Sequence, residues 1–387
     1  MAILTALSIA RVPALAFVVL GAFWGAFAAS VPDIKNGLGV NDAVFGLLLL
    51  GNPVGLVTAM WIAPRFDAAL GANALRVVTA TFACCFILPG LASTPATFAV
   101  AVVALGITSG LTDILMNARV SDLEARHGRT LMNVAHGMFS LSYAVSAILT
   151  GFLRADGNPP WVALGAAAVF GLVLSFWLRT PPADSAADGE RAHDMPWGIV
   201  LICGAIVLAA FSTEATVETW SALHIERTLG GDPLAGSLGP VMLGLTMAVG
   251  RIGGQGLSDR FRDEKVLVVA TLMTSAGAFL AAAAETPAMA YLGFGILGLG
   301  VSVIGPLGLA AVGRMVPPEH RTEAIAKVAV MGFSGFFFAP VFMGFLSELY
   351  SLRVAYAVIG GIVLINLLLT WQLARAGKNS GQWAQPD

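Results

Sequence analysis

Long apolar runs separated by short polar breaks dominate this chain from end to end. A helix that crosses a bilayer needs ~20 mainly apolar residues. Twelve runs qualify, near 11–33, 43–63, 75–93, 96–118, 131–153, 159–179, 197–222, 236–257, 266–284, 288–314, 324–346 and 353–374. Most breaks are short and rich in Pro, Gly, Asp and Arg, as in STPAT, RADGNPP and AETPA. The longest, TPPADSAADGERAHDMP at 180–196, is polar and reads as a flexible linker. It divides the runs six and six. The pattern therefore predicts an all-α polytopic membrane protein: a six-helix bundle over 1–179, a linker over 180–196, a second six-helix bundle over 197–374 and a tail over 375–387.

Composition agrees. The 387 residues are 57% hydrophobic and 11% charged, with a mean hydropathy of +0.82. A soluble domain carries about 25% charged residues, so this chain falls in the membrane class. A net charge of −2 is small and says nothing about partners; no nucleic-acid partner is expected. Cys84, Cys85 and Cys203 lie in apolar runs without metal spacing, and no cofactor is expected. Arg11, the apolar run after it and the stretch AFAAS also fit a secretory leader cleaved near Ala28. That alternative would leave eleven spans and break the internal repeat.

Basic residues set orientation. With an even number of spans, both ends of the chain lie on one side. If that side is the cytoplasm, seventeen of the 21 Lys and Arg residues fall at or near it, and only Lys35, Arg154, Arg227 and Arg353 fall opposite. The expected location is a bacterial inner membrane, multi-pass, with both termini cytoplasmic.

The two halves also resemble each other. GLVTAMWIAPRF (55–66) aligns with GRIGGQGLSDRF (250–261) at an offset of 195, each at the end of the second span of its half. HGRTLMNVAHGMFSLSYAVSAILTGFL (127–153) aligns with EHRTEAIAKVAVMGFSGFFFAPVFMGFL (319–346), across the fifth spans. A parallel repeat of six spans places two bundles about an axis along the membrane normal.

These features resemble the major facilitator superfamily over the whole chain. DILMNAR (113–119), HGRTLMNVAHGMFSLS (127–142), ETWSAL (218–223), GRIGGQGLSDRF (250–261) and GFSGFFFAPVFMGFLSELYSLRVA (332–355) resemble its branch of bacterial rhizopine-transport-type inner-membrane proteins. The superfamily's loop motif, roughly Gly-x-x-x-Asp-Arg-x-Gly-Arg, is best kept after span 8. By that resemblance Arg251, Asp259 and Arg260 are expected to gate the cytoplasmic side. After span 2 the motif is degraded: Pro64 stands before Arg65, and Asp67 follows.

Ionisable groups within spans carry the candidate chemistry. A charge at the bilayer centre costs roughly 2.5–3.5 kcal/mol on insertion scales, so it normally faces protein or water. Asp113 in span 4, His136 in span 5, and Glu214 and Glu218 in span 7 qualify as proton-coupling candidates. Asp113 and Asn117 share a helix face, as do Glu214 and Glu218. Span 7 runs outward, so Glu214 is expected ~26 Å along it, in the outer half, with Asp113 and His136 toward the cytoplasm. A carboxyl group in an apolar cavity keeps its proton to higher pH and releases it when water enters. A proton gradient supplies ~1.4 kcal/mol per pH unit and ~2.3 kcal/mol per 100 mV. Binding of a cationic substrate and helix–helix hydrogen bonding are the competing roles for these acids.

Trp24 lies mid-span, whereas Trp61, Trp161, Trp177, Trp197 and Trp371 sit near span ends as interface anchors. Asn52, Asn117, Ser140, Tyr143, Trp220 and Gln255 complete a substrate-contacting set suited to a sugar-like or small polar solute. Gly21/Gly25, Gly51/Gly55, Gly106/Gly110 and Gly250/Gly254 recur at a spacing that lets helices approach closely. The expectation is a monomeric secondary active transporter, proton-coupled and working by alternating access. Its partners are a small-molecule substrate, protons and the lipid bilayer. A drug or metabolite efflux antiporter is the alternative, although the Gly-Pro motif that such antiporters tend to carry in span 5 is absent here. A membrane enzyme lacks its motifs, with no His-Glu-x-x-His and no Gly-x-Ser-x-Gly. A non-transporting sensor lacks an output domain.

Overall fold

The computed structural model describes residues 2–182, 195–253, 261–317 and 320–380. The described residues form helices and connecting turns, with no strand among them. In chain order, the helices of the first half are α1 (Ala2–Leu38), α2 (Asp42–Leu49 and Gly51–Leu70), α3 (Ala74–Cys85 and Leu88–Leu91), α4 (Pro95–His127), α5 (Met132–Ala155) and α6 (Pro160–Ser175). The second half follows with α7 (Trp197–Leu223), α8 (Pro233–Gly253), α9 (Asp263–Ala283), α10 (Pro287–Met315), α11 (Arg321–Phe333 and Gly335–Leu349) and α12 (Leu352–Val363 and Ile365–Ser380). These elements match the twelve apolar runs within a few residues, apart from longer ends on α1, α2, α4 and α12. The 33 residues of α4 span about 50 Å at 1.5 Å each. That exceeds the ~30 Å hydrocarbon core, so its last turns, with Asp122, Glu124 and Arg126, project into water.

Proline accounts for two of the breaks. Pro53 and Pro89 cannot donate a backbone bond to residues 49 and 85, and α2 and α3 interrupt just there. The helices α11 and α12 also break, at Ser334 and Leu364, with no proline four residues on.

The two halves repeat one neighbour pattern. In the first, α1 packs on α5 and α6, α2 on α4, and α3 on α4 and α6. In the second, α7 packs on α11 and α12, α8 on α10, and α9 on α10 and α12. The ion pair Asp67–Arg119 joins α2 to α4, and Asp263–Arg314 joins α9 to α10. Arg119 and Arg314 are 195 residues apart, the offset of the sequence repeat. Between the lobes, α5 packs on α8, α2 on α11, and α1 on both α7 and α8.

Small residues make the close crossings. A Cβ on Gly25 of α1 would stand 2.0 Å from the Tyr143 carbonyl oxygen of α5, so no larger residue fits there without moving a helix. Across the lobes, a Cβ on Gly46 of α2 would meet the Pro340 carbonyl oxygen at 2.6 Å, and one on Gly344 of α11 would meet the Asp42 carbonyl oxygen at 2.5 Å. The outside of the bundle is apolar: Trp61, Val100, Val169, Phe176, Phe338 and Leu349 are all exposed. That surface belongs against lipid, not water.

Candidate functional site: a cavity between the lobes

A cavity of about 550 Å³ lies between the two halves, within the 300–1,000 Å³ usual for small-molecule sites. Its walls come from α1, α2, α4 and α5 on one side and α7, α8, α10 and α11 on the other. Trp24, Asn52, Asp113, Asn117, His136, Tyr143, Glu214, Glu218 and Arg251 all line it. The sequence reading put Glu214 and Asp113 in separate halves of a path; the structure gives them one shared cavity. The reason is helix length. Asp113 lies close to the middle of the 33-residue α4, and Glu214 lies inside a 27-residue α7 that continues into a π-helical segment.

The polar walls are wired unequally. Asn117 donates from Nδ2 to Asp113 Oδ1 at 3.0 Å and to the Asp113 carbonyl at 2.8 Å, so one turn of α4 presents a carboxyl with its own amide. His136 meets Phe17 edge-on at 4.9 Å between ring centroids. Arg251 donates to Glu214 Oε1 at 3.1 Å and Oε2 at 3.5 Å. Its Nη1 donates to Ser140 Oγ at 2.8 Å. One guanidinium of α8 therefore ties α7 to α5, its own lobe to the opposite one. The resemblance had assigned Arg251 to a cytoplasmic gate; the structure seats it in the cavity wall. Its gate companions Asp259 and Arg260, and Gln255, lie outside the described residues.

Two proposed substrate contacts do not reach the cavity. Ser140 is buried and occupied by Arg251 and by its own bond to the His136 carbonyl. Trp220 is fully buried and meets Phe45 of α2 edge-on at 6.2 Å. Sequence spacing put Trp220 beside Glu218, but two residues at about 100° each turn it to the opposite face of the helix. That face is the seam between the lobes. Conversely, Phe17, Phe139, Phe211, Phe333 and Phe336 line the cavity and were missed. An apolar residue in an apolar span carries no signal of which neighbour it faces.

On the face away from the chain ends, charged residues clamp the lobes together. Arg154 at the end of α5 is buried and donates to both carboxylate oxygens of Asp33, at 2.6 and 2.9 Å. It also donates to both oxygens of Glu226, at 2.8 and 3.1 Å. Asp33 belongs to its own lobe and Glu226 to the other. Next along the chain, Arg227 reaches Asp42 of α2 at 2.8 and 2.5 Å and Ser347 of α11 at 2.9 Å. Lys35 adds a third cation-to-carboxylate contact on Asp42, at 3.0 Å. The backbone N–H of Asp42 donates to Glu348 at 3.0 Å. Glu226 and Arg227 sit in a π-helical segment, His224–Thr228, that ends α7; such segments often mark functional positions. The sequence did hold a trace of this clamp: Lys35, Arg154 and Arg227 are three of the four basic residues that broke the charge bias.

On the face of the chain ends the arrangement differs. The far pieces of α2 and α11, Asp42–Leu49 and Gly335–Leu349, pack on each other. Their near pieces pack within their own lobes, Gly51–Leu70 on α4 and Arg321–Phe333 on α7 and α10. The ion pairs Asp67–Arg119 and Asp263–Arg314 likewise stay within one lobe. The cavity reaches Asn117, Met132 and Leu309 toward this face. Among the described residues, then, charged clusters join the lobes on the far side, while the cavity extends toward the side of the termini, where α5 and α8 still meet at Gly137 and Ile252.

Two matched six-helix lobes around a central cavity define a polytopic membrane transporter fold. A family model, Major Facilitator Superfamily, matches residues 14–256 and 200–387, and the chain belongs to that superfamily. It is 30% identical over 370 residues to an uncharacterised MFS-type transporter of Yersinia pestis, covering 94% of each chain. It is 27% identical to membrane protein MosC of Rhizobium meliloti, covering 94% of this chain and 90% of that one. Among solved structures it resembles a bacterial homologue of the human lysosomal transporter Spinster, with a TM-score of 0.76 at 14% identity over 98% of both chains.

Proposed function

We propose that this protein is a monomeric, proton-coupled secondary transporter of a small organic solute in a bacterial inner membrane, working by alternating access. The seventeen-to-four division of basic residues supports cytoplasmic termini, and with that orientation the cavity extends toward the inside. The observation that carries the reading is the position of Glu214. It is a buried carboxyl in the cavity wall, held by an arginine that also grips the opposite lobe.

That geometry links a proton to a conformation. With Glu214 ionised, Arg251 is fixed between α7 and α5. A proton on Glu214 removes the charge that holds Arg251 to α7 and frees the guanidinium to follow α5 or to turn to solute. Opening to either side changes the water at the carboxyl, and with it the cost of its charge. Solute and proton then compete or cooperate through one cavity, and the lobes rock about it.

A thermal-shift screen of the purified protein against sugars, inositol-like compounds, organic acids and amines identifies solutes. Uptake into proteoliposomes with and without a pH gradient follows. Glu214→Gln is expected to abolish gradient-driven accumulation and to keep part of the solute exchange. Accumulation unchanged in that variant removes Glu214 from the mechanism.

A further inference from the structure

We propose that the solute of this cavity is an organic monocation, with an amine or other cationic nitrogen seated at Glu218 and an apolar or aromatic body. This deepens the transport reading and rests on it.

The charge count in the cavity is lopsided. Asp113, Glu214 and Glu218 face one basic side chain, Arg251, and Arg251 is taken by Glu214 and Ser140. His136 also lines the wall, on the first lobe, packed edge-on against Phe17. Asp113 has the amide of Asn117. Glu218, one turn beyond Glu214 on the same face of α7, makes no hydrogen bond and no ion pair among the described residues; Arg251 acts on it only at longer range, across its own pair with Glu214. A carboxylate left so in a mostly apolar cavity is costly unless a cation or a proton comes to it.

A second observation points to the same place. Tyr143 is 1% exposed, lines the cavity, and its hydroxyl has no hydrogen-bond partner. Buried hydroxyls are nearly always paired. A phenol oxygen can accept from an ammonium N–H, and a phenol face or edge also suits a cation. Tyr143 thus stands at the cavity wall on the lobe opposite Glu218, with its ring available to a cation and its unpaired hydroxyl buried behind the wall.

The rest of the wall describes the body of the solute. Phe17, Trp24, Phe139, Phe211, Phe333 and Phe336 contribute six rings. Among the described residues the side-chain amides number two, Asn52 and Asn117, and one of them already serves Asp113. A free sugar displays hydroxyls all round and needs paired donors and acceptors on every side. Beyond these amides and the charged groups, the wall as described adds the hydroxyls of Ser109 and Thr219 and the His136 ring, so much of a polyol's surface would face rings and lose partners. A flat or greasy cation is matched on both counts. This moves the solute class away from the sugar-like expectation raised by the sequence.

Equilibrium binding to the detergent-purified protein, with no gradient, tests the assignment. The probes are phenethylamine, tetraphenylphosphonium and choline, against phenethyl alcohol, 3-phenylpropionate, glucose and inositol. The expected result is saturable binding of at least one cation, tenfold or more tighter than the neutral and anionic probes. Glu218→Gln should weaken that binding at least tenfold, and Glu218→Asp, which keeps the charge and guards against misfolding, should restore part of it. Preference for the polyols or for phenylpropionate, no preference for cations, or full cation affinity in Glu218→Gln overturns the proposal. Because binding needs no gradient, its failure is distinct from a failure of proton coupling. Coupling is read separately, from gradient-driven uptake and the Glu214→Gln variant.

Discussion

Replacing Arg154 by Gln removes one of the two charged clusters that join the lobes on the far face, and the residue does not line the cavity. Arg154 makes two hydrogen bonds to Glu226 across the lobes, at 2.8 and 3.1 Å. Each such bond between charged groups contributes about 1.5–3 kcal/mol. The two share one guanidinium, and Glu226 retains some exposure, so about 2–4 kcal/mol is a reasonable total for the interlobe part. Loss of the cation also leaves Asp33 and Glu226 facing each other as like charges. Since ~1.4 kcal/mol is a factor of ten, the ratio of far-side-open to far-side-closed molecules should rise about 30- to 1,000-fold. A resting open fraction of ~1% would become between about a quarter and nine-tenths by the same conversion. The assay is a spin-label distance distribution. Labels go on Ser93→Cys and Glu285→Cys, exposed positions in the equivalent α3–α4 and α9–α10 turns, after removal of Cys84, Cys85 and Cys203. The Arg154→Gln protein should gain a longer-distance population. Identical distributions in folded Arg154→Gln and parent protein would refute the clamp.

Gly46→Leu places a side chain where a Cβ alone would lie 2.6 Å from the Pro340 carbonyl; the same labels should report far-side opening, and solute accumulation should fall. Arg119→Gln breaks an ion pair inside one lobe, so it should lower the melting temperature while leaving the Ser93–Glu285 distances unchanged. Arg251→Ala leaves Glu214 buried without its cation; breaking a buried pair in this way costs about 3–5 kcal/mol, visible as a lower melting temperature that Glu214→Gln in the same chain partly restores.

The sequence revealed different parts of this molecule with different clarity. Span positions were plain because a bilayer demands one length and one polarity of every crossing. The repeat could be read too, and Arg119 and Arg314 later stood at its offset. The intramembrane acids were conspicuous because they are rare in apolar spans, and Asp113, Glu214 and Glu218 do share a cavity wall. Partnership was not legible. Arg251 looked like a loop-end charge, and only the approach of α8 to α5 and α7 brings it to Ser140 and Glu214. The Arg154 and Arg227 clusters join residues more than 70 positions apart, which no local pattern encodes. Trp220 and the phenylalanines show the same limit from the apolar side: hydrophobicity says that a residue avoids water, not whether it faces lipid, seam or cavity.

Side-specific labelling of cavity cysteines tests the central claim most directly, namely that the acids border a wetted crevice between the lobes, open toward the termini. Asn52→Cys and Thr219→Cys, one from each lobe and both in the cavity wall, are compared with lipid-facing Val100→Cys in a chain without its native cysteines. The account predicts that a membrane-impermeant maleimide modifies Asn52→Cys and Thr219→Cys rapidly from the side of the termini and slowly from the other, and leaves Val100→Cys untouched. Equal silence at all three positions, or faster reaction from the far side, would contradict it.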